Sequence, residues 1–165
     1  MNLGFLVKNL GASQLGYYLS RNINNHLENN HELDIICYTE EFERNCMHTN
    51  FSVMEMAEAW GQRGPMIATS ISTAEKLVKI PAASKKYFYI WDLEWYHIQN
   101  RLVGDFFRKQ IYIYNTGSIY HDPSLELICR SQEHADIISN NFNREVRHII
   151  EDFNLNKILE VVNNE

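Results

Sequence analysis

The sequence has little of what would build a covalent or metal-stabilised scaffold. Its three cysteines, Cys37, Cys46 and Cys129, are odd in number and show no Cys-x-x-Cys spacing, which argues against a disulfide framework. Cys46 and His48 lack further ligands at zinc spacing, so we expect no metal ion. Cys37 and Cys129 fall inside apolar runs and are predicted to be small core residues. Free thiols in this pattern are typical of a reducing cytosol.

Proline, glycine and long apolar runs are also scarce. Three prolines and seven glycines leave no room for a disordered linker. No segment reaches the roughly 18 apolar residues that would cross a bilayer, and the start of the chain lacks the pattern of a signal peptide. We therefore expect a soluble, cytoplasmic protein that has no membrane partner.

An excess of positive charge is missing as well. The formal net charge is -6, which argues against direct binding to the phosphates of a nucleic acid. The basic pairs Lys85-Lys86 and Arg108-Lys109 are too small to form a basic patch by themselves. With 165 residues, 45% hydrophobic and 22% charged, the chain has the size and composition of one globular domain.

Residues 87–97 read Tyr-Phe-Tyr-Ile-Trp-Asp-Leu-Glu-Trp-Tyr-His, and the functional prediction depends on them. The first half is an unbroken run of β-branched and aromatic residues, which predicts a central strand buried on both faces. Asp92 and Glu94 follow directly. Ligands of open α/β sheets bind beyond the carboxyl ends of the strands, so we predict the site here. The alternative is a surface segment that turns its aromatic side chains inward and leaves both acids in water.

A glycine-containing turn follows the first predicted strand, residues 3–7. It reads Gly11-Ala12-Ser13-Gln14-Leu15-Gly16, the dinucleotide fingerprint G-x-G-x-x-G with Ser13 in place of the middle glycine. That glycine lets the backbone approach a pyrophosphate, so its replacement weakens the case for NAD or FAD, and we expect no cofactor. Two interpretations remain: a helix N-terminus that holds an anionic or hydroxyl-rich ligand, and a plain turn with Ser13 as N-cap, which is the better supported.

Acids and hydroxyls follow the next predicted strands. Glu40 and Glu41 come after the second strand, residues 33–38, near the place of the ribose-binding acid of dinucleotide enzymes. They lie slightly late and in a polar loop, so we interpret both as solvated surface. Ser70 and Ser72 follow the third strand, where their hydroxyls could bind a sugar or phosphate, although capping alone would select the same residues.

Capping patterns predict where two of the helices begin. Ser52 and Ser72 are each followed three residues later by a glutamate, which is the capping-box spacing. We therefore predict one helix over residues 53–60 and a second, short helix that begins at Ser72. Ser131 is predicted to cap a later helix.

The remaining elements complete an alternation of strands and helices. Helices are predicted at residues 98–110 and 155–162, and strands at 66–69, 125–129 and 146–150. Such alternation permits right-handed crossovers. It predicts an α/β fold, a Rossmann-like three-layer sandwich with a mostly parallel sheet of about six strands, in a single domain over residues 1–165.

Several stretches together resemble the amino-terminal half of a GT-B glycosyltransferase. They are residues 4–11 (Gly-Phe-Leu-Val-Lys-Asn-Leu-Gly), 64–70 (Gly-Pro-Met-Ile-Ala-Thr-Ser), 91–95 (Trp-Asp-Leu-Glu-Trp), 130–135 (Arg-Ser-Gln-Glu-His-Ala) and 151–154 (Glu-Asp-Phe-Asn). The nearest likeness is to short phage-encoded glycosyltransferase-like proteins, and abundant Asn and Ile agree with a bacteriophage source, hence the host cytoplasm. On this resemblance the chain would keep the acceptor side, since the sequence stops at Glu165 before a donor-binding domain.

The resemblance implies glycosyl transfer, with a nucleotide-sugar or sugar acceptor as ligand and a homodimer or second subunit completing the cleft. Asp92, Glu94 and His97 are the candidate catalytic groups, because transfer needs a base for the acceptor hydroxyl or a carboxylate that steadies an oxocarbenium ion. A lone histidine after an aromatic run is more often structural, so His97 has the weakest case. Trp91 and Trp95 would stack on a sugar ring. The full candidate substrate-binding set is Gly11, Ser13, Ser70, Ser72, Trp91 and Trp95.

Two other function classes stay open. A non-catalytic module could use the same cleft to bind a nucleotide, a sugar or a host protein, and exposed aromatic side chains near residues 91–96 would suit a partner surface. A nucleotide-dependent oxidoreductase is disfavoured by Ser13 in the fingerprint and by the lack of a well-placed ribose acid.

Overall fold

Seven parallel strands form one sheet in the computed structural model, which describes residues 2–30, 32–96 and 116–164. The strands are β1 (Asn2–Val7), β2 (Asp34–Thr39), β3 (Ser52–Glu55), β4 (Met66–Ala68), β5 (Lys86–Ile90), β6 (Glu126–Cys129) and β7 (His148–Ile149). Their order is β3-β2-β1-β4-β5-β6-β7, so the direction of winding reverses between β1 and β4. This is the topological switch point at which ligands of such sheets bind.

Helices cover both faces of the sheet. They are α1 (Gln14–Asn29), α2 (Ile71–Val78), α3 (Gln132–Phe142) and α4 (Leu155–Asn164), with short 3-10 helices at Met56–Gly61 and Glu151–Phe153 and further helical residues at 94–96 and 116–121. The predicted α/β Rossmann-like sandwich is confirmed, with seven strands in place of about six. Among the helices of the described residues, none combines the length and the apolar character that crossing a membrane requires.

The central position predicted for residues 87–90 is confirmed. β5 lies between β4 and β6 and runs parallel to both. Tyr87 and Tyr89 point into the core on the face covered by α1 and α4, whereas Phe88 and Ile90 point into the core under α2 and α3. Because both faces are covered, alternation of polar and apolar residues is absent from this strand.

Two capping predictions are wrong. Ser52 begins the edge strand β3, which pairs with β2 from Ile36 to Thr39, and no α-helix forms over residues 53–60. Helix α2 is capped by Ser70, two residues earlier than predicted: its Oγ accepts from the Thr73 backbone N at 3.2 Å. Thr73 Oγ1 in turn accepts from the Ser70 backbone N at 3.0 Å. A capping box is thus present with threonine in place of glutamate.

Other local predictions are confirmed. Ser13 and Ser131 are the N-caps of α1 and α3. Cys37 and Cys129 are fully buried in the sheet, and burial raises the pKa of the Cys129 thiol to about 12, which leaves it protonated and unreactive. The helix predicted over residues 98–110 lies outside the described residues.

Candidate functional site

The segment after β5 places a glutamate at the first turn of a neighbouring helix. Asp92 is exposed, and its Oδ1 accepts a hydrogen bond from the Leu93 backbone N at 2.9 Å. Glu94 is half-buried, and its Oε1 accepts from the backbone N of Ile71, the first residue of α2, at 2.9 Å. Free N–H groups and the partial positive charge at a helix N-terminus favour an anion at this point. Glu94 supplies that anion from within the chain.

The surroundings of Glu94 alter its acidity. Burial raises the pKa of Glu94, and the nearby carboxylates of Asp92 and Glu40 raise it further. The hydrogen bond from Ile71 and the charge of Lys8 act in the opposite direction and do not cancel the effect of burial. A carboxylate with a raised pKa is a better proton acceptor near neutral pH than an ordinary one. Acids with perturbed pKa values cluster at functional sites, which makes Glu94 a candidate functional residue.

Glu40 is the residue of this edge that the sequence interpretation placed wrongly. Its side chain is only 12% exposed and does not lie in solvent. Oε1 lies 2.7 Å from Lys76 Nζ, and Oε2 accepts from Ser72 Oγ at 3.0 Å. Its place in the sequence was the one indication that Glu40 lies at the site: it directly follows β2, whose last residue Thr39 pairs with Val7 at the end of β1.

Its neighbour Glu41 behaves as predicted. Half of the Glu41 side chain is exposed, and Oε1 lies 3.7 Å from the ammonium of Lys8, which is itself exposed. An exposed ion pair of this kind contributes little to stability. Glu41 is therefore solvated surface, in contrast to Glu40.

The glycine-containing turn is arranged as a helix start. Ser13 Oγ accepts from the Gly16 backbone N at 3.0 Å, so the side chain occupies an N–H group that a phosphate would use. Gly16 is needed for packing, because a Cβ there would lie 2.6 Å from the Gly11 carbonyl oxygen. A Cβ on Gly11 would lie 2.4 Å from Glu43 Oε2, so a carboxylate already lies against this glycine. These contacts favour the plain turn over a phosphate cradle.

The two tryptophans of the site segment pack into the interior. Trp91 is 7% exposed; its ring stacks on Phe153 at 5.1 Å between centroids, with the Arg130 guanidinium 4.4 Å from the ring centroid. Trp95 is 2% exposed and contacts Phe142 edge to face. Stacking on a sugar requires an open ring face, and neither indole offers one. The prediction that they bind substrate in this way therefore needs correction: they serve as packing residues.

The structure brings only part of the predicted set together. Glu94 lies at the start of α2, next to Ser70. Ser72 donates a hydrogen bond to Glu40, and the charge of Glu40 acts on Glu94. Gly11 and Ser13 lie in the turn after β1, and His97 lies outside the described residues. Four concavities of about 280 to 590 Å³ are lined by described residues, and neither Asp92 nor Glu94 lines any of the four.

Metal binding gains no support from the same geometry. Within residues 2–30, 32–96 and 116–164, no three or more His, Cys, Asp or Glu side chains are grouped so that they could hold a metal ion. The cluster at the switch point instead pairs its acids with Lys76, Ser72 and a backbone N–H. Its chemistry is that of hydroxyls, ammonium groups and carboxylates.

Comparison of the chain with protein-family models, curated proteins and solved structures finds no match. The resemblance to GT-B glycosyltransferases and to phage proteins therefore stays a prediction. The fold does not decide the function, because Rossmann-like sheets serve many chemistries.

Proposed function

We propose that the chain is a glycosyltransferase-like, acceptor-side domain that acts on a sugar or nucleotide-related substrate at the carboxyl edge of β1, β4 and β5. The observation that carries the proposal is Glu94. It is a half-buried carboxylate with a raised pKa, held against the N-terminus of α2 beside the switch point. Substrates of open α/β sheets bind at this edge.

In this proposal Glu94 is the general base. Its Oε1 is held by the Ile71 N–H, so Oε2 would take the proton of an acceptor hydroxyl. The acceptor oxygen then bonds to the anomeric carbon of the donor, and the nucleotide leaves with the electrons of the broken bond. Asp92, exposed beside it, would steady positive charge on the sugar. The hydroxyls of Ser70 and Ser72 would orient the acceptor.

The test is nucleotide release from a panel of UDP-sugars in the presence of mixed mono- and disaccharide acceptors. Glu94→Gln keeps the shape of the side chain and removes its basicity, so we expect at least about 100-fold slower release. Glu75→Gln, an exposed glutamate on α2, is the matched control and should retain full activity. Full activity of Glu94→Gln, or no release from any donor by the wild type, would overturn the proposal.

A non-catalytic binding module is the second candidate, and the half-exposed ring of Tyr96 favours it. Trp91 and Trp95 are buried and offer no such surface, and the Glu40 carboxylate is already bound by Lys76 and Ser72. Calorimetric titration with UDP-sugars, free nucleotides and NAD separates the candidates. Binding of a UDP-sugar or nucleotide without release supports the module, whereas binding of NAD would favour an oxidoreductase.

A further inference from the structure

The opposite edge of the sheet, at the amino ends of the strands, holds a concavity rich in cationic side chains. It has a volume of about 590 Å³ and lies at the amino ends of β5 and β6, beside the segment that follows α3. Its lining comprises residues 85–87, 123–127, 144, 145 and 147, and we call it the amino-edge pocket. Four of these are cations: Lys85, Lys86, Arg144 and Arg147. Of these four, Lys85 and Lys86 are neighbours in the sequence, whereas the fold brings Arg144 and Arg147 to the same pocket.

Three of the four cations donate hydrogen bonds to backbone carbonyl groups, which carry no net charge. Lys86 Nζ donates to the Val78 carbonyl at 2.8 Å and Lys85 Nζ to the Val162 carbonyl at 3.4 Å. These bonds help to cap the ends of α2 and α4, which accounts for the lysines in part. An ammonium has three donors, however, and each of these bonds uses one. A carbonyl positions the ammonium without neutralising its charge.

The two arginines also keep N–H groups with which they could bind an anion. Arg144 Nη2 donates to the Leu125 carbonyl at 2.9 Å, which holds the guanidinium at the pocket and leaves further N–H groups. Arg147 Nε lies 3.6 Å from Glu145 Oε2, but both side chains are more than 70% exposed, so this pair is weak.

The carboxylates of the pocket do not balance the cations. Glu145 and Glu126 are the two acidic residues in the lining. Glu126 Oε1 is bonded to His148 Nε2 at 2.8 Å, and His148 does not line the pocket. Four cations thus face two carboxylates in a chain whose net charge is -6. The excess positive charge at this edge contrasts with Glu40, Glu94 and Asp92 at the carboxyl edge.

We propose that the amino-edge pocket binds a small, multiply charged phosphoryl anion. Its volume lies in the range of small-molecule sites, and buried Tyr87, Leu125 and Leu127 contribute to its wall. Guanidinium groups match phosphate oxygens in a bidentate manner, and lysines add charge. A concavity with cations at its rim suits a compact anion better than the flat contact of a protein partner.

Isothermal calorimetry with inorganic pyrophosphate tests this assignment. We expect one saturable site whose affinity falls as salt is added. Lys85→Gln and Arg147→Gln should each weaken binding about tenfold, the loss of one charged hydrogen bond. Lys157→Gln removes an exposed lysine outside the pocket and should leave binding unchanged. Arg147 is exposed, so its replacement leaves the fold intact even if the Lys85 variant is destabilised.

Several results would overturn the assignment. One is the absence of pyrophosphate binding at millimolar concentration, and another is an equal loss of affinity in Lys157→Gln. Citrate binding as tightly as pyrophosphate would show that charge alone is recognised. A salt-sensitive dimer without pyrophosphate binding would assign the basic edge to contact with the acidic edge of a second copy. None of these results depends on glycosyl transfer, since the pocket and Glu94 lie at opposite edges of the sheet.

Discussion

Glu94 is the residue in which stability and proposed function oppose each other. Its carboxylate satisfies an N–H group of α2, which stabilises the helix, yet burial disfavours the charge that makes it a base. The N-terminus of α2 favours an anion, whereas burial disfavours it, and burial is the larger effect on the pKa of Glu94. A charge retained against the cost of burial is compatible with a catalytic role.

Replacing Glu94 should separate the hydrogen bond from the charge. Glu94→Gln keeps an acceptor for the Ile71 N–H, whereas Glu94→Ala leaves it unpaired and should lower the free energy of unfolding by about 1 kcal/mol. Burial raises the pKa of Glu94 above its ordinary 4.5, so the folded chain binds this proton more tightly than the unfolded chain. The corresponding stability is present below 4.5 and is lost as pH rises through the raised pKa.

Urea unfolding of the wild type and of Glu94→Gln, in acid and at neutral pH, measures this difference. The glutamine variant does not titrate, so its stability relative to the wild type should increase as pH rises. The opposite trend would mean that the charged form of Glu94 is the one favoured by folding.

At the scale of elements, the start of α2 shows what a local pattern can and cannot predict. The spacing of Ser72 and Glu75 fits a capping box, but so does the spacing of Ser70 and Thr73, and the structure uses the second. Ser52 has the same pattern and begins a strand, because pairing with β2 satisfies its backbone. Local capping patterns therefore indicate several possible helix starts, and long-range strand pairing determines which of these segments become helical.

The two serines of α2 provide a matched pair for testing that outcome. Ser70→Ala removes the acceptor for the Thr73 backbone N and should lower the free energy of unfolding by about 1 kcal/mol. Ser72→Ala loses two exposed hydrogen bonds, to Glu40 and to the Ser70 hydroxyl, and should change stability by less than about 0.5 kcal/mol. Thermal unfolding followed by circular dichroism distinguishes them. Equal losses in the two variants would contradict the assignment of Ser70 as N-cap.

At the scale of the whole molecule, the sequence was sufficient to predict the parallel sheet and the central place of residues 87–90. The period of the hydrophobic residues and the lengths of the apolar runs are local features of the sequence, and they are enough for these two predictions. The burial of Trp91 was the alternative interpretation of its segment, and the sequence could not decide for it, because Phe153 and Arg130 reach Trp91 only through the fold. The same holds for Glu40, whose ion pair with Lys76 requires α2 to pack beside the end of β2. Side-chain exposure at the edge of the sheet depends on contacts that no local window contains.

The junction of β1 and β4 joins the two halves of the sheet, and a glycine next to it is predicted to be essential. A Cβ on Gly64 would lie 1.9 Å from the carbonyl oxygen of Asn2, a backbone atom that cannot move aside cheaply. Gly64→Ala should therefore lower the free energy of unfolding by about 1–3 kcal/mol, as overpacking does. Gly61→Ala is the control, since a Cβ there meets nothing within 4 Å.

Because one sheet spans the described residues, this damage should not remain local. We expect tryptophan fluorescence and circular dichroism to report the same lowered urea midpoint for Gly64→Ala. The urea midpoint of Gly61→Ala should equal or slightly exceed that of the wild type, because alanine restricts the conformations of the unfolded chain. Separate midpoints for the two probes would show that the two halves of the sheet, β3-β2-β1 and β4-β5-β6-β7, unfold independently. Coincident midpoints would instead show that the two halves unfold together as one cooperative unit.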